Sequence, residues 1–266
     1  MATGKIVRKT EEEIALIRES SILVSRTLGE LKKYIIPGIP TIELDRIAEE
    51  FIRDNGGVPS FKNYDPHPDS SPPYPYTLCI SVNEEVVHGL PSHSKLLKEG
   101  DIVSIDCGVF KNGFHGDSAY TFPVGEISPK KQKLLQVTKE SLYRGIQRAV
   151  EGNSLGDVSN AIQMYAESFG YSVVREMVGH GIGKNLHEPP EVPNYGKRRS
   201  GPKLMSNWVI AIEPMINMGK KGISRAADEW TIFATDRLPS AHFEHTVVIR
   251  EKRAEVLTTF EYIENV

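Results

Sequence analysis

The chain has 266 residues, with 32 Lys and Arg against 35 Asp and Glu and a formal net charge of −3. Hydrophobic residues make up 39% and charged residues 25% of the chain, which is typical of a folded globular protein and excludes a disordered or fibrous one. The near-neutral charge argues against binding nucleic acid through the overall field, and no apolar run approaches the roughly 20 residues that span a bilayer.

Two helices followed by strands are predicted in the first half of the chain. Thr10 and Glu13 form a capping box, and apolar residues then keep a helical spacing as far as Pro37. Thr41 is expected to cap a second helix that stops at Gly56. Strand-like runs follow at 77–82, 101–110 and 118–124.

The second half repeats this order. Ser128 and Pro129 read as the cap and first residue of a helix that ends near Gly152, and Ser154 begins another that ends near Gly170. Strand-like runs return at 171–178, 207–216, 229–235 and 243–250. We therefore expect an α+β protein of two similar halves, at about 1–125 and 126–266, that share one core.

Two segments are unlike the rest of the chain. Residues 65–76 hold five of the 17 prolines, so this segment cannot be a helix or an interior strand, and we expect a surface loop. Residues 196–203 form the one basic cluster, which we expect at a solvated hairpin tip.

Several familiar catalytic motifs are absent. Residues 179–185 lack the spacing of a P-loop, and His187 and Glu188 begin a zincin-like pattern that fails because position 191 is Glu. The two cysteines, Cys79 and Cys107, are too few for a disulfide scaffold or a Cys₄ zinc site. We expect a reducing, cytoplasmic compartment.

Each half of the chain supplies one carboxylate from within an apolar strand-like run and another at the beginning of a later one: Asp106 and Asp117 in the first half, and Glu213 and Glu244 in the second. A buried ionised carboxylate must be paired with a cation, protonated or bound to a metal. A partner Arg or Lys for each is the ordinary alternative, but these runs contain few cations. His180, between two glycines, would complete a metal site. Five such ligands suit two ions about 3.5 Å apart that share bridging carboxylates.

Seven ordered motifs carry a resemblance to a known family: VNEEVVHGLP, SIDCGV, GFHGDSAYTF, VGHGIG, LHEPP, AIEPM and FEHTVVI. This set resembles the type I methionine aminopeptidases of peptidase family M24. The resemblance implies the pita-bread fold, in which two pseudo-symmetric halves surround a central curved antiparallel sheet with helices on its outer face. It also implies a single catalytic domain over residues 1–266.

The resemblance also implies a ligand set for two divalent ions, which would be Co, Mn, Fe or Zn. Asp117 and Glu244 would bridge both ions, Asp106 would hold the first, and His180 with Glu213 would hold the second. A monovalent cation near Asn83 and Ser240 is implied as well.

The implied activity is hydrolytic removal of the initiator methionine when the second residue is small and uncharged. Glu213 would carry the proton from the attacking water to the leaving amine. His187 would stabilise the charge that develops on the carbonyl oxygen, and His88 would bind the scissile amide of the substrate. The wall of the methionine pocket would include Phe61, Tyr64, Cys79 and Trp230.

The implied partners are the N-termini of nascent polypeptides, with a transient ribosome contact through 197–203. We expect a monomer with no stable nucleic-acid or membrane partner. Two alternatives stay open: an exopeptidase like prolidase or aminopeptidase P, and a metal-free binding protein of the same fold.

Overall fold

The computed structural model describes residues 4–65 and 72–265. Within these residues the helices are α1 (Glu11–Lys32), α2 (Thr41–Asp54), α3 (Pro129–Ile146), α4 (Leu155–Glu167) and α5 (Glu261–Glu264). The strands of the first half are β1 (Val58–Pro59), β2 (Leu78–Val82), β3 (Glu85–Val87), β4 (Ile102–Lys111) and β5 (Phe114–Pro123).

Ten more strands follow in the described residues of the second half. They are β6 (Ser172–Val173), β7 (Gly179–Gly181), β8 (Glu188–Val192), β9 (Val209–Ile212), β10 (Met215–Asn217), β11 (Ile223–Arg225), β12 (Ile232–Ala234), β13 (Ser240–His242), β14 (His245–Val248) and β15 (Glu255–Val256).

Capping residues begin three of the helices as predicted. The Thr10 hydroxyl accepts from the Glu13 N–H and the Glu13 carboxylate accepts from the Thr10 N–H, so the capping box of α1 is confirmed. Ser128 caps α3, with Pro129 as its first residue. Ser154 is the N-cap of α4, and its N–H donates to the Asp157 carboxylate at 2.9 Å. Each cap satisfies N–H groups that the first turn of a helix leaves free.

The beginning of α2 and the end of α3 differ from prediction. Thr41 is the first residue of α2, and Pro40 precedes it as a cap without a side-chain hydrogen bond. The Thr41 hydroxyl instead accepts from the Ser92 N–H, at 2.9 Å. The α3 helix ends at Ile146, well before Gly152.

The long strand β4 organises the first half of the chain. It pairs antiparallel with β2 and β1 and, along its whole length, with β5. Helix α1 packs across β4 and β5. Strand β5 begins at Phe114, four residues before the predicted run, so Asp117 lies inside a strand and not at its beginning.

The predicted strand runs of the second half are interrupted. The run 207–216 divides into β9 and β10 because Pro214 lacks an N–H for a ladder hydrogen bond. The run 243–250 begins as a strand only at His245. Glu213 and Glu244 therefore lie in breaks between strands. Their side chains do not have to follow the pattern of a continuous strand, in which successive side chains point to opposite faces.

The main hydrophobic core contains residues from both halves, among them Leu28, Ile105, Leu142, Ile212 and Val247, each with essentially no exposed surface. Full burial of such a side chain contributes about 1.5–3 kcal/mol. This shared core holds the sheet of the first half against the strands of the second. The division into two similar halves stays a prediction. Among the helices described, none has both the length and the apolar character needed to cross a membrane.

Candidate metal centre

A cavity of ≈ 450 Å³ opens on one side of the sheets. Its lining includes every carboxylate and histidine that the sequence singles out as ligand or catalytic candidate: His88, Asp106, Asp117, His180, His187, Glu213 and Glu244. A volume of this size is typical of small-molecule and peptide-end binding sites.

Strand pairing brings the two aspartates together. Asp117 of β5 lies opposite Gly108 of β4, and Gly108 is two residues from Asp106. Since side chains two residues apart point to the same face of a strand, both carboxylates point to the face that the cavity occupies.

The two strand breaks place the two glutamates beside each other. His245 pairs with Ile212 in the β14–β9 ladder, so Glu244 and Glu213 are the adjoining residues at the same end of that ladder. The Glu244 N–H donates to the Ala119 carbonyl at 2.9 Å. This bond attaches the glutamate pair to the strand that carries Asp117.

His180 enters the centre from β7, where a bulge in the β7–β8 pairing follows it. The flanking glycines are required, because a Cβ on Gly179 would lie 2.4 Å from the Ala211 carbonyl oxygen and one on Gly181 would lie 2.3 Å from that of Pro189. Nδ1 of His180 lies 2.9 Å from the Gly181 carbonyl oxygen. Because a carbonyl only accepts, Nδ1 carries the hydrogen and Nε2 offers a lone pair.

The lone pair of His180 faces the carboxylates. Nε2 lies 3.6 Å from Glu213 Oε1 and 3.9 Å from Asp117 Oδ2. Ligand atoms of Asp117, His180 and Glu244 all lie within 4.8 Å of one another. Oxygen donors with one imidazole suit hard or borderline divalent ions.

Unpaired atoms in the centre fit a cation. Within the described residues, Asp106 Oδ1, Asp117 Oδ1 and Glu244 Oε1 are buried and have no hydrogen-bond partner. A buried acceptor left without a donor is costly. Coordination to a divalent ion would satisfy all three oxygens, so these side chains fit the metal centre that the sequence predicts.

The carboxyl groups also disturb one another electrostatically. Burial raises the pKa of Asp106 to about 7, with repulsion from Glu213 adding to the shift, and burial raises the pKa of Glu213 to about 7. Burial and the neighbouring carboxylates raise the pKa of Asp117 and of Glu244 well above the usual range. A divalent cation would reverse these shifts because it stabilises the ionised forms.

The two other histidines that line the cavity, His88 and His187, have different surroundings. His88 adopts a positive φ of 56° after β3, and desolvation lowers its pKa to about 4, so it is neutral at pH 7. His187 is exposed at the open side, and its Nδ1 forms a hydrogen bond with the Tyr64 hydroxyl. Neither belongs to the ligand groups of the described residues.

An apolar wall lies beside the polar centre. The four residues predicted for it, Phe61, Tyr64, Cys79 and Trp230, all line the cavity. The sequence reasoning missed Tyr74, which packs edge-on against Trp230 at 5.1 Å between ring centroids. Its place in the Pro-rich segment concealed it, although Tyr74 forms a β-bridge with Tyr64. Residues 66–71 of that segment lie outside the described residues.

The sequence reasoning also missed His242. It precedes Glu244 by two residues, and its Nε2 lies 3.6 Å from Glu213 Oε2. The motif HFEH indicates that His242 lies on the same side as Glu244, because alternate residues of an extended chain share a face.

Asn83 and Ser240 lie together but away from the cavity. The Ser240 N–H donates to the Asn83 carbonyl at 2.8 Å. The Lys131 ammonium donates to the Asn83 side-chain oxygen, also at 2.8 Å.

This fold, with its centre of carboxylates and one imidazole, defines a metal-dependent hydrolase. The sequence model of metallopeptidase family M24 matches residues 15–251, and the chain belongs to that family. It is 51% identical over 253 residues to methionine aminopeptidase 1 of Bacillus subtilis, a match that covers 95% of this chain and 99% of the relative. It is 41% identical over 251 residues to methionine aminopeptidase of Escherichia coli, covering 94% and 92%.

Solved structures give the same result. The crystal structure of methionine aminopeptidase from Thermotoga maritima superposes with a TM-score of 0.92 at 41% identity and covers 96% of this chain and 100% of that one. Prolidase from Pyrococcus furiosus shares the fold, with a TM-score of 0.77 at 24% identity over 96% of this chain and 66% of that one. The predicted pita-bread fold is therefore confirmed.

Proposed function

We propose that this metallopeptidase is a methionine aminopeptidase that removes the initiator methionine from polypeptides whose second residue is small and uncharged. The observation that carries this proposal is the position of the buried carboxylates and His180 directly beside an apolar wall of aromatic and sulfur-containing side chains. Relatives of 41% to 51% identity over nearly the whole chain carry that name.

We assign the ligand role to Asp106, Asp117, His180, Glu213 and Glu244. Two divalent ions held by these residues would supply Lewis acidity and a water of lowered pKa. Co, Mn, Fe and Zn all suit this donor set. The monovalent cation expected near Asn83 and Ser240 would use backbone carbonyls, because Lys131 already donates to the Asn83 side chain.

Three residues carry out the remaining chemistry in this proposal. Glu213 takes the proton of the attacking water and delivers it to the leaving amine. His187 donates a hydrogen bond to the oxygen on which negative charge develops. His88, neutral at pH 7 because of its lowered pKa, binds the scissile amide.

The apolar wall recognises the methionine side chain. Phe61 and Cys79 are nearly buried, while Tyr64 and Trp230 are half-buried. Thioether groups pack favourably against aromatic rings. These four residues surround a polarizable, water-poor space that suits methionine better than a charged or β-branched side chain.

The proposed setting is the cytoplasm, where a monomer acts on nascent chains. The basic side chains Arg198, Arg199 and Lys203 line a surface pocket at one end of α4. We propose that this surface makes a transient contact with the ribosome, whose phosphates attract such a cluster.

The test is hydrolysis of Met-Ala-Ser by freshly purified protein. Turnover should appear with Mn²⁺ or Co²⁺, disappear with EDTA and return when the metal is restored. Ala-Pro-Ala and Met-Pro serve as substrates for the aminopeptidase P and prolidase alternatives. Faster cleavage of either than of Met-Ala-Ser would contradict the proposal, and metal-independent peptide binding without turnover would favour the binding protein.

A further inference from the structure

His242 is the last residue of β13, and hydrogen bonds hold its backbone in place. Its N–H donates to the Thr121 hydroxyl at 2.9 Å, and that hydroxyl donates to the His242 carbonyl at 2.7 Å. On the other side, β13 pairs with β10, where His242 lies opposite Met215. Only 1% of the side chain is exposed. The backbone of His242 is therefore held in place, and its imidazole is buried from solvent.

Nε2 of the His242 imidazole has no hydrogen-bond partner within the described residues. The nearest charged atom is Glu213 Oε2, at 3.6 Å. The other oxygen of the same carboxylate, Oε1, lies 3.6 Å from Nε2 of His180. Glu213 is thus flanked by two imidazoles, one at each oxygen.

The two imidazoles differ in what they can offer. Nδ1 of His180 is bound to the Gly181 carbonyl, so its Nε2 is an acceptor or ligand atom. Within the part of the chain that the structure describes, Nε2 of His242 has no hydrogen-bond partner, and it faces Glu213 Oε2 at 3.6 Å. With the hydrogen on Nε2, this buried N–H would cost about 1–3 kcal/mol if it had no acceptor, and a shift of a few tenths of an ångström would make its bond to Glu213.

We propose that His242 is a positioning residue for Glu213. Its Nε2–H donates to Glu213 Oε2 and thereby directs Oε1 toward His180 and the metal centre. A glutamate side chain has three rotatable bonds. A hydrogen bond to a fixed partner therefore helps to orient a glutamate that must both ligate a metal and transfer a proton. This inference rests on the proposed function, because it assigns the partner of the residue that shuttles the proton.

A rival role is direct ligation. Ligand atoms of Glu213, His242 and Glu244 also lie within 4.8 Å of one another. However, the group of Asp117, His180 and Glu244 does not include His242. Nε2 of His242 lies 3.6 Å from Glu213 Oε2, whereas Nε2 of His180 lies 3.6 Å from Oε1. The geometry therefore favours a hydrogen bond to the carboxylate, and ligation becomes an outcome of the test.

The experiment compares His242→Gln, which keeps an N–H donor, with His242→Phe and His242→Met, which do not. Two apolar variants are used so that, if one of them does not fold, the other still gives a result. His245→Gln is the matched control, because His245 is also a buried histidine of this stretch but bonds to Thr258 at 2.7 Å and stacks on Phe260. Each protein is titrated with Co²⁺ by calorimetry and visible absorption, and kcat and KM are measured on Met-Ala-Ser.

We expect the Phe and Met variants to bind about two equivalents of Co²⁺, as the wild type does, while kcat falls about 10–100-fold. KM should stay within about twofold, and His242→Gln should recover most of the lost kcat. Full kcat in the apolar variants would overturn the positioning role. Loss of one Co²⁺ equivalent with a changed absorption spectrum would overturn it in favour of ligation. A wild type that neither binds Co²⁺ nor cleaves Met-Ala-Ser would instead refute the proposed function.

Discussion

The imidazole rings of His180 and His187 lie edge to face, with centroids 4.3 Å apart and planes at 85°. Despite this contact they face different groups. His180 points its Nε2 at Glu213 and Asp117, whereas His187 bonds to Tyr64 at the open side of the cavity. Neighbouring rings can therefore serve metal binding and substrate binding separately.

His180→Ala should lower metal affinity and activity together, because the remaining oxygen ligands hold the second ion less well. His187→Ala should keep both ions and lose mainly kcat, by about 10²–10³, the usual cost of one donor to a developing oxyanion. Calorimetric titration of Mn²⁺ or Co²⁺ into each variant distinguishes the roles. Loss of an ion from His187→Ala but not from His180→Ala would show that the two roles are reversed.

A second prediction concerns the residue after methionine in the substrate. Because the carboxylates lie inside a confined cavity, a bulky second side chain would contact the cavity wall before the scissile bond reaches them. In a series Met-Xaa-Ser, Ala should exceed Leu, Lys and Glu in kcat/KM by at least about 10²-fold. Comparable kcat/KM values for Met-Ala-Ser and Met-Lys-Ser would show that the cavity wall does not restrict the second side chain.

A third prediction concerns a buried carboxyl group outside the centre. Asp45 is 4% exposed, and its Oδ1 accepts from the N–H groups of Thr77 and Leu78 at 2.9 and 2.8 Å. These bonds fix the start of β2 and so the position of Cys79. Desolvation raises the pKa of Asp45 from 3.8 to about 6.

Because the folded-state pKa is raised, the stability that protonated Asp45 contributes is present below pH 4 and is lost as the pH rises through 6. Asp45→Asn keeps the acceptor and does not titrate. The variant should therefore gain stability relative to the wild type between pH 4 and pH 6, by at most about 3 kcal/mol. Urea unfolding at pH 4 and pH 7 measures this. Asp45→Ala lacks the acceptor and should be destabilised at both pH values. If the stability difference between Asp45→Asn and the wild type is the same at both pH values, the raised pKa of Asp45 is refuted.

A fourth prediction concerns the Pro-rich segment. Its described ends are joined, since the Asn63 N–H donates to the Tyr74 carbonyl at 2.7 Å and the Tyr74 N–H donates to the Tyr64 carbonyl at 2.9 Å. Both tyrosines line the cavity. Replacing residues 66–71 by two glycines should change KM for Met-Ala-Ser but leave metal content unaltered. If neither KM nor inhibitor affinity changes, the segment has no part in the pocket.

The helix starts and the ligand candidates could be predicted from the sequence because their determinants are local, whereas the pita-bread fold was implied by the resemblance of seven ordered motifs. Capping boxes such as Thr10 with Glu13 depend on a few neighbouring residues. Carboxylates in apolar runs are conspicuous because burial without a partner is costly. By contrast, the Thr41 hydroxyl bonds to Ser92, some fifty residues away, and no local pattern shows that contact.

His242 and Tyr74 were missed for the same reason. The environment of His242 depends on Glu213, which comes from a different strand, and Tyr74 faces Trp230 only in the folded chain. Pro214 marked the break at Glu213 in the sequence, whereas no Gly or Pro marks the break at Glu244. The contacts that tune the site are tertiary, whereas the residues that form it are visible in the chain.

The centre takes Asp106 and Asp117 from the first half of the chain and His180, Glu213 and Glu244 from the second. During synthesis, Glu244 is added after the other four side chains of the centre. A truncated product that ends before Glu244 would keep α1 to α4 and most of the sheet residues but lack one carboxylate of the centre. If the proposed function holds, copies of this enzyme that end before Glu244 cannot process the N-termini of other proteins, and the activity appears only after this last carboxylate has been added.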